Sequence, residues 1–206
     1  MAWRVAEVSG TAGELHELGM GEPVARQVRV LHATGAALVL GSTQPMVGHR
    51  GVEVVRRRSG GGAVLVEPGA VVWVDVTVPR RDPLWDDDVG RAFWWLGDVW
   101  AAALGSLGVT GAEVHRGPLV RTPLSEVVCF AGLGPGEVTV DGRKAVGIAQ
   151  RRTRAGALFQ CAVPLAWDGA RLAGLLGLDA VDAEVHALAG VDGADVVGAF
   201  VAQLPD

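Results

Sequence analysis

"VVRRRSGGGAV", residues 54–64, sets three arginines against three glycines with a single serine between them. Apolar, β-branched runs flank it on both sides, and such runs read as strands. The stretch therefore reads as a tight loop joining two strands. Three consecutive glycines remove side chains, so backbone N–H groups can approach a ligand closely. Guanidinium forks suit carboxylate or phosphate, which makes the expected loop an anion-directed one. The same letters also describe a flexible connector beside solvated arginines, and composition does not separate the two. The stretch is not a P-loop, which needs G-x-x-x-x-G-K-[ST] followed by a helix, and it is not G-x-G-x-x-G.

Outward from that loop, strands are expected around 26–31, 37–41, 52–55, 63–66 and 70–78, with Pro68-Gly69 turning between the last two. In 70–78 the valines 72, 74, 76 and 78 share one face and Trp73, Asp75 and Thr77 the other. That alternation predicts an antiparallel sheet covered mainly on one side. "DDDVGRAFWWLGDVWAAALGSLG", 86–108, predicts a helix with its aspartates at the positive end and Gly108 as its stop. The glycine- and proline-rich stretch 117–136 reads as a surface crossing. "EVTVDGRKAVGIAQRR", 137–152, is a hairpin turning on Asp141-Gly142. Residues 158–166 read as a strand that Pro164 pushes toward a sheet edge. Three segments after Asp168, namely 168–179, 182–190 and 192–204, each open on an aspartate suited to capping a helix. Together these give an α+β domain with a mixed, largely antiparallel sheet and flanking helices.

The chain has 206 residues, half of them hydrophobic and a fifth charged, enough for one sizeable core. A net charge of −5 argues against general affinity for nucleic acid. The sequence shows no signal-peptide pattern and no run of about eighteen uncharged apolar residues, so a cytoplasmic protein without a membrane span is expected. The two cysteines, Cys129 and Cys161, and the scattered histidines lack metal-ligand spacing, so no metal site is expected. Lys144 lies just past the hairpin turn among small residues, where a cation could hold an oxyanion or a phosphate. Read alone, the same position is more often that of a solvated lysine at a hairpin tip. Cys129 is either a small buried apolar residue or, if cations lie close, a nucleophile.

The glycine loop and the hairpin, in that order and at about that spacing, resemble the lipoate–protein ligase and octanoyltransferase family, which shares its catalytic fold with the biotin–protein ligases. The likeness runs from about residue 27 to 166 and includes "LVLGSTQ" before the loop and "VCF" before the hairpin. It implies one catalytic domain over 1–206, with a divergent N-terminal segment (1–25) and C-terminal helices (168–206). It implies that Arg57, Ser59, Gly60, Gly61, Gly62 and Ala63 lie against the acyl chain and its activated carboxyl. Gly147, Ile148, Ala149 and Gln150 complete the substrate site. Lys144 matches the lysine that binds the acyl carbonyl, and Cys129 matches the cysteine acylated in cysteine-dependent octanoyltransferases.

The implied activity is transfer of an octanoyl or lipoyl group, through a cysteine thioester, to a lysine of a lipoyl carrier domain or a glycine-cleavage H-type protein. Acyl carrier protein is then the donor and no cofactor is needed. The alternatives are an ATP- and Mg-dependent lipoate–protein ligase working through an acyl-adenylate, and a non-catalytic relative that binds an acyl group or a carrier. The chain ends without the accessory domain many ligases carry, which favours the transferase. It departs from the family pattern at Val66-Glu67, Ala70, Ile148 and Phe159-Gln160-Cys161. The family's N-terminal acyl-facing helix is not recognisable in "TAGELHELGMGE", 11–22.

Overall fold

The computed structural model describes residues 2–21, 25–48 and 51–206; Met1 and residues 22–24 of the N-terminal segment lie outside them. The larger of two sheets has seven strands in the order β1 (Arg4–Gly10), β2 (Gln27–Ala33), β6 (Val71–Pro79), β10 (Gly156–Pro164), β9 (Arg143–Arg152), β8 (Val138–Val140) and β7 (Ala112–Val114). Only β1 and β2 run parallel; the other neighbours are antiparallel. The smaller sheet places β3 (Ala37–Leu40) between β4 (Glu53–Arg56), parallel to it, and β5 (Val64–Val66), antiparallel. The fold class expected from the sequence is the one observed. No helix among the described residues is long and apolar enough to cross a membrane.

Four layers result. The valine face of β6 packs on α2 (Trp94–Ser106) and α4 (Gly193–Ala202), where Trp100 stacks on Phe200 at 4.1 Å between centroids. The other face meets the small sheet and α1 (Ala12–Glu17), and α3 (Gly169–Leu176) covers the small sheet's far side. This corrects the expectation of a sheet covered mainly on one side. Trp73, Asp75 and Thr77 are all buried, so the alternation along β6 separates an apolar layer from a partly polar one, not core from water.

Local chemistry explains most elements. Asp88 caps the 3-10 turn that leads into α2, accepting from the N–H groups of Gly90 and Arg91 at 2.8 and 2.9 Å. Asp168 and Asp192 cap α3 and α4 as expected. Asp141 and Gly142 both adopt positive φ, 50° and 77°, the backbone of a tight primed turn. The N-terminal stretch does form a helix, α1, started by a capping box in which Thr11 and Glu14 hold each other's backbone N–H.

Two expectations fail for one reason. Residues 182–190 form no helix: Glu184 accepts from Lys144 N–H at 2.8 Å, and His186 N–H donates to Lys144 C=O at 2.9 Å. β10 pairs with β9 only as far as Gly147, so residues 184–186 supply the backbone partners that β10 leaves missing at Lys144. Pro164 is likewise not on an edge strand. It ends the central β10, opposite Val71 and beyond the register shared with β9, where no ladder N–H is needed.

Candidate active site

The glycine loop is built to bring backbone against backbone. A Cβ on Gly41 would lie 1.8 Å from Gly61 O, and one on Gly62 would lie 2.5–2.7 Å from main-chain atoms of Val128 and Cys129. Ala63 N–H donates to Val127 O at 2.7 Å and Cys129 N–H to Ala63 O at 3.0 Å, which ties the loop to the crossing segment. The Cys129 sulfur consequently faces the loop, 3.9 Å from where a Gly61 Cβ would stand. Among the described residues, nothing accepts from the amides of Gly60, Gly61 or Gly62, and all three line a cleft of about 880 Å³.

Arg57 corrects the idea of a cation aimed outward at an anion. Its guanidinium is buried and donates to Gly60 O (2.7 Å), Gly62 O (2.9 Å) and Val39 O (3.4 Å). A loop turned in on itself exposes carbonyls to the interior, and they need a donor. Ser59 also points inward, donating to Gln160 Oε1 at 2.8 Å.

Lys144 is equally unlike a solvated hairpin lysine. It is 4 % exposed. Its ammonium pairs with Glu137 at 2.7 Å and donates to Cys129 O at 2.9 Å and Gly132 O at 3.0 Å, and the same nitrogen lies over the Phe130 ring, 5.1 Å from its centroid. Gly147 makes room for both: a Cβ there would sit 3.3 Å from the ring and 3.4 Å from the lysine stem. Glu137 also accepts from Ile148 N–H (3.0 Å) and Gly134 N–H (2.6 Å). Lys144 thus clamps the cysteine turn to the hairpin.

The structure therefore brings the glycine loop, Cys129, Lys144, Ile148, Ala149 and Gln150 to the walls of one cleft. Cys129 also lines a second, largely apolar pouch of about 50 Å³ between the two sheets, together with Val39, Val64, Val66, Trp73 and Gly147. Cys129 is thus shared by the walls of cleft and pouch. Cys161 is fully buried, and burial pushes its thiol far above the ordinary range, so it is chemically inert.

Four residues escaped the sequence reading: Glu137, His16, Asp75 and Gln160. Glu137 had a usable signal. A two-residue turn at Asp141-Gly142 pairs Thr139 with Lys144, and Glu137 lies two residues before Thr139, on the same face. His16 could have been suspected from the capping box that starts α1. Asp75 and Gln160 gave no local signal, because only the second sheet makes their face an interior.

Burial dominates the titration of this inner layer. It raises the Asp75 carboxyl to about 6, against the opposing pull of the Trp73 hydrogen bond and Arg29. It lowers His16 to about 4, helped by the Arg57 charge. Asp75 therefore favours the fold fully below pH 3.8, and that contribution is lost as pH rises through 6. His16 contributes fully above pH 6.5 and loses its contribution as pH falls through 4. The two slopes oppose each other. Asp75→Asn leaves His16 alone, so the variant's stability is expected to rise by roughly 2–3 kcal/mol between pH 4 and 6.5. Urea midpoints across that window measure it, and a flat or falling profile contradicts the assignment.

The family described as "Lipoyl protein ligase A/B catalytic domain" matches residues 29–201. No curated protein sequence matches significantly. Among solved structures, the chain is similar to a lipoate-protein ligase A bound with ATP, with 17 % identity over 98 % of this chain and 84 % of that one, at a TM-score of 0.75. It is also similar to the bi-partite lipoate protein ligase of Thermoplasma acidophilum studied with its E2 lipoyl domain (17 %, 98 % and 82 %, TM-score 0.70). A biotin protein ligase mutant from Aquifex aeolicus in complex with biotin is more distant (9 %, 97 % and 67 %, TM-score 0.52). These likenesses establish the fold expected from the two motifs. With the family match spanning most of its length, the chain belongs to the lipoyl protein ligase A/B catalytic-domain family.

Proposed function

We propose that this protein transfers an octanoyl or lipoyl group to a lysine of a lipoyl carrier domain through a thioester on Cys129. The observation that carries the reading is that Cys129 lines both an open cleft and an apolar pouch, with its sulfur turned toward the glycine loop. Cys129 gives up its thiol proton to solvent and the thiolate attacks the carbonyl of an acyl-carrier thioester; the carbonyl–sulfur bond to the carrier breaks, and the carrier's sulfur leaves as a thiolate that is reprotonated from solvent. The neutral ε-amine of the acceptor lysine then attacks the new thioester. The Cys129 sulfur departs, the amine gives up a proton, and an amide remains. Both tetrahedral oxyanions form beside the unpaired amides of Gly60–Gly62, which can donate to them. Lys144 holds the carbonyl side of Cys129, and in giving up one backbone acceptor it can donate to the acyl oxygen.

The ATP-dependent alternative has one observation of its own. Both amide atoms of Gln150 are buried without a partner beside a cleft large enough for a nucleotide. Gln150, the glycine-loop amides and Lys144 are the groups that would hold ATP, which would supply activation of a free acid. The two readings are separated by incubating the full chain and a lipoyl domain with either an octanoyl-carrier thioester or octanoic acid plus ATP and Mg²⁺. Transfer from the thioester without ATP, lost in Cys129→Ala, is expected. Transfer only from the acid with ATP, surviving Cys129→Ala, overturns the cysteine route.

A further inference from the structure

Two segments meet at the end of the large sheet where β9 turns into β10. Arg80 N–H donates to Ala155 O at 2.9 Å, and Arg152 donates to Asp86 O and, at 3.1 Å, to Asp87 O. Residues 80–91 and 150–155 together hold six arginines against four aspartates, with no glutamate or lysine, in a chain whose net charge is −5. The aspartates are largely committed. Asp82 pairs with the buried Arg26 at 2.9 Å, Asp86 pairs with Arg91 at 3.1 Å, and Asp88 caps the 3-10 turn. Arg80 and Arg152 both stand over the Trp85 indole, 5.4 and 4.1 Å from its centroid, so two of the cations are held in place. Arg81, Arg151 and Arg154 have no ionic or hydrogen-bonding partner among the described residues, and Arg81 and Arg154 are exposed.

This cationic end adjoins the cleft without entering it. Gln150 and Phe93, within two residues of Arg151 and Arg91 in the chain, line the cleft, and none of the six arginines does. A small ligand inside the cleft is therefore surrounded by other groups, whereas a protein face laid against this end of the sheet meets unpaired guanidiniums from both segments. Arginine and tryptophan are the residues at which protein interfaces concentrate binding energy. Attraction between opposite charges speeds encounter and is weakened by salt, which suits a partner that has to arrive, react and leave at each turnover.

We propose that this arginine–tryptophan patch docks the carrier domain whose lysine accepts the acyl group, through a face of that domain rich in aspartate and glutamate. This rests on the reading that a carrier lysine is the acceptor, which the thioester and ATP routes share. The test is calorimetric titration of the full-length protein with an unmodified lipoyl domain of net negative charge, at low and at physiological salt. Arg81→Glu/Arg154→Glu is expected to weaken binding by about tenfold or more at low salt and to remove most of its salt dependence. Arg81→Gln/Arg154→Gln, which deletes the charges without reversing them, should give a smaller loss. Arg56→Glu/Arg143→Glu makes the same charge change on the small sheet and at the far end of β9, and should alter binding by less than about twofold. Unchanged affinity in the patch variants, equal losses in patch and control variants, or no binding by the wild type overturns the inference. A loss of ATP affinity in place of lipoyl-domain affinity reassigns the arginines to phosphate and overturns it as well. Acylation of the lipoyl domain by the wild type alongside any of these results leaves the function reading standing, whereas absence of acylation from every donor removes that reading too.

Discussion

Lys144→Met is expected to destabilise the protein by about 3–5 kcal/mol, the cost of leaving one member of a buried ion pair uncompensated. The Lys144 and Glu137 side chains are 5 % and 6 % exposed, and their atoms meet at 2.7 Å. Methionine keeps most of the apolar stem but strands the carboxylate. It also releases Cys129 O and Gly132 O, the two carbonyls by which the lysine holds the cysteine turn. Loss of stability and loss of acyl transfer should therefore arrive together. The double variant Glu137→Gln/Lys144→Met separates them: without a buried charge most of the stability returns, because replacing both members of such a pair can be nearly neutral. If Lys144 serves the acyl oxygen as proposed, activity does not return, since no cation remains to donate to it. Urea unfolding and a carrier acylation assay on the two variants read this out. A single-variant loss below about 1 kcal/mol contradicts the clamp.

Gly62→Ala carries the second large effect, about 3 kcal/mol or more. The new methyl would press on Val128 and Cys129 main-chain atoms at 2.5–2.7 Å, and no side-chain rotation can relieve a backbone contact. The crossing segment has to move away, breaking the mutual hydrogen bonds of Ala63 with Val127 and Cys129. Gly60→Ala is the internal control, because nothing lies within 4 Å of its Cβ position; it is expected to change stability by less than about 0.5 kcal/mol. Thermal or urea midpoints of the pair settle it. Equal effects at the two positions would mean that the loop is a mere connector.

These two variants also mark what the sequence made legible. The glycine run, the Asp141-Gly142 turn and the capping aspartates act through local backbone chemistry, so they could be read without knowing the fold. The segment 182–190 misled because Asp182 looks like a cap, while the unpaired edge of β9 at Lys144, which draws the segment into extended pairing, exists only in three dimensions. The same is true of the polar layer. Asp75 and Thr77 alternate with valines as a solvated strand face would, and only the small sheet laid across them makes that face an interior. Arg57 turns inward where the sequence suggests a cation facing an anion, since the direction of a guanidinium depends on carbonyls that the loop presents only once it has folded.

In the proposed mechanism the Cys129 Sγ carries the acyl group. Intact-mass spectrometry of the full chain, quenched in acid after incubation with an octanoyl-carrier thioester, tests it most directly. One octanoyl adduct per chain, released by hydroxylamine and absent from Cys129→Ala, is the predicted result. An unmodified wild-type chain, or an adduct that persists without the thiol, would contradict it.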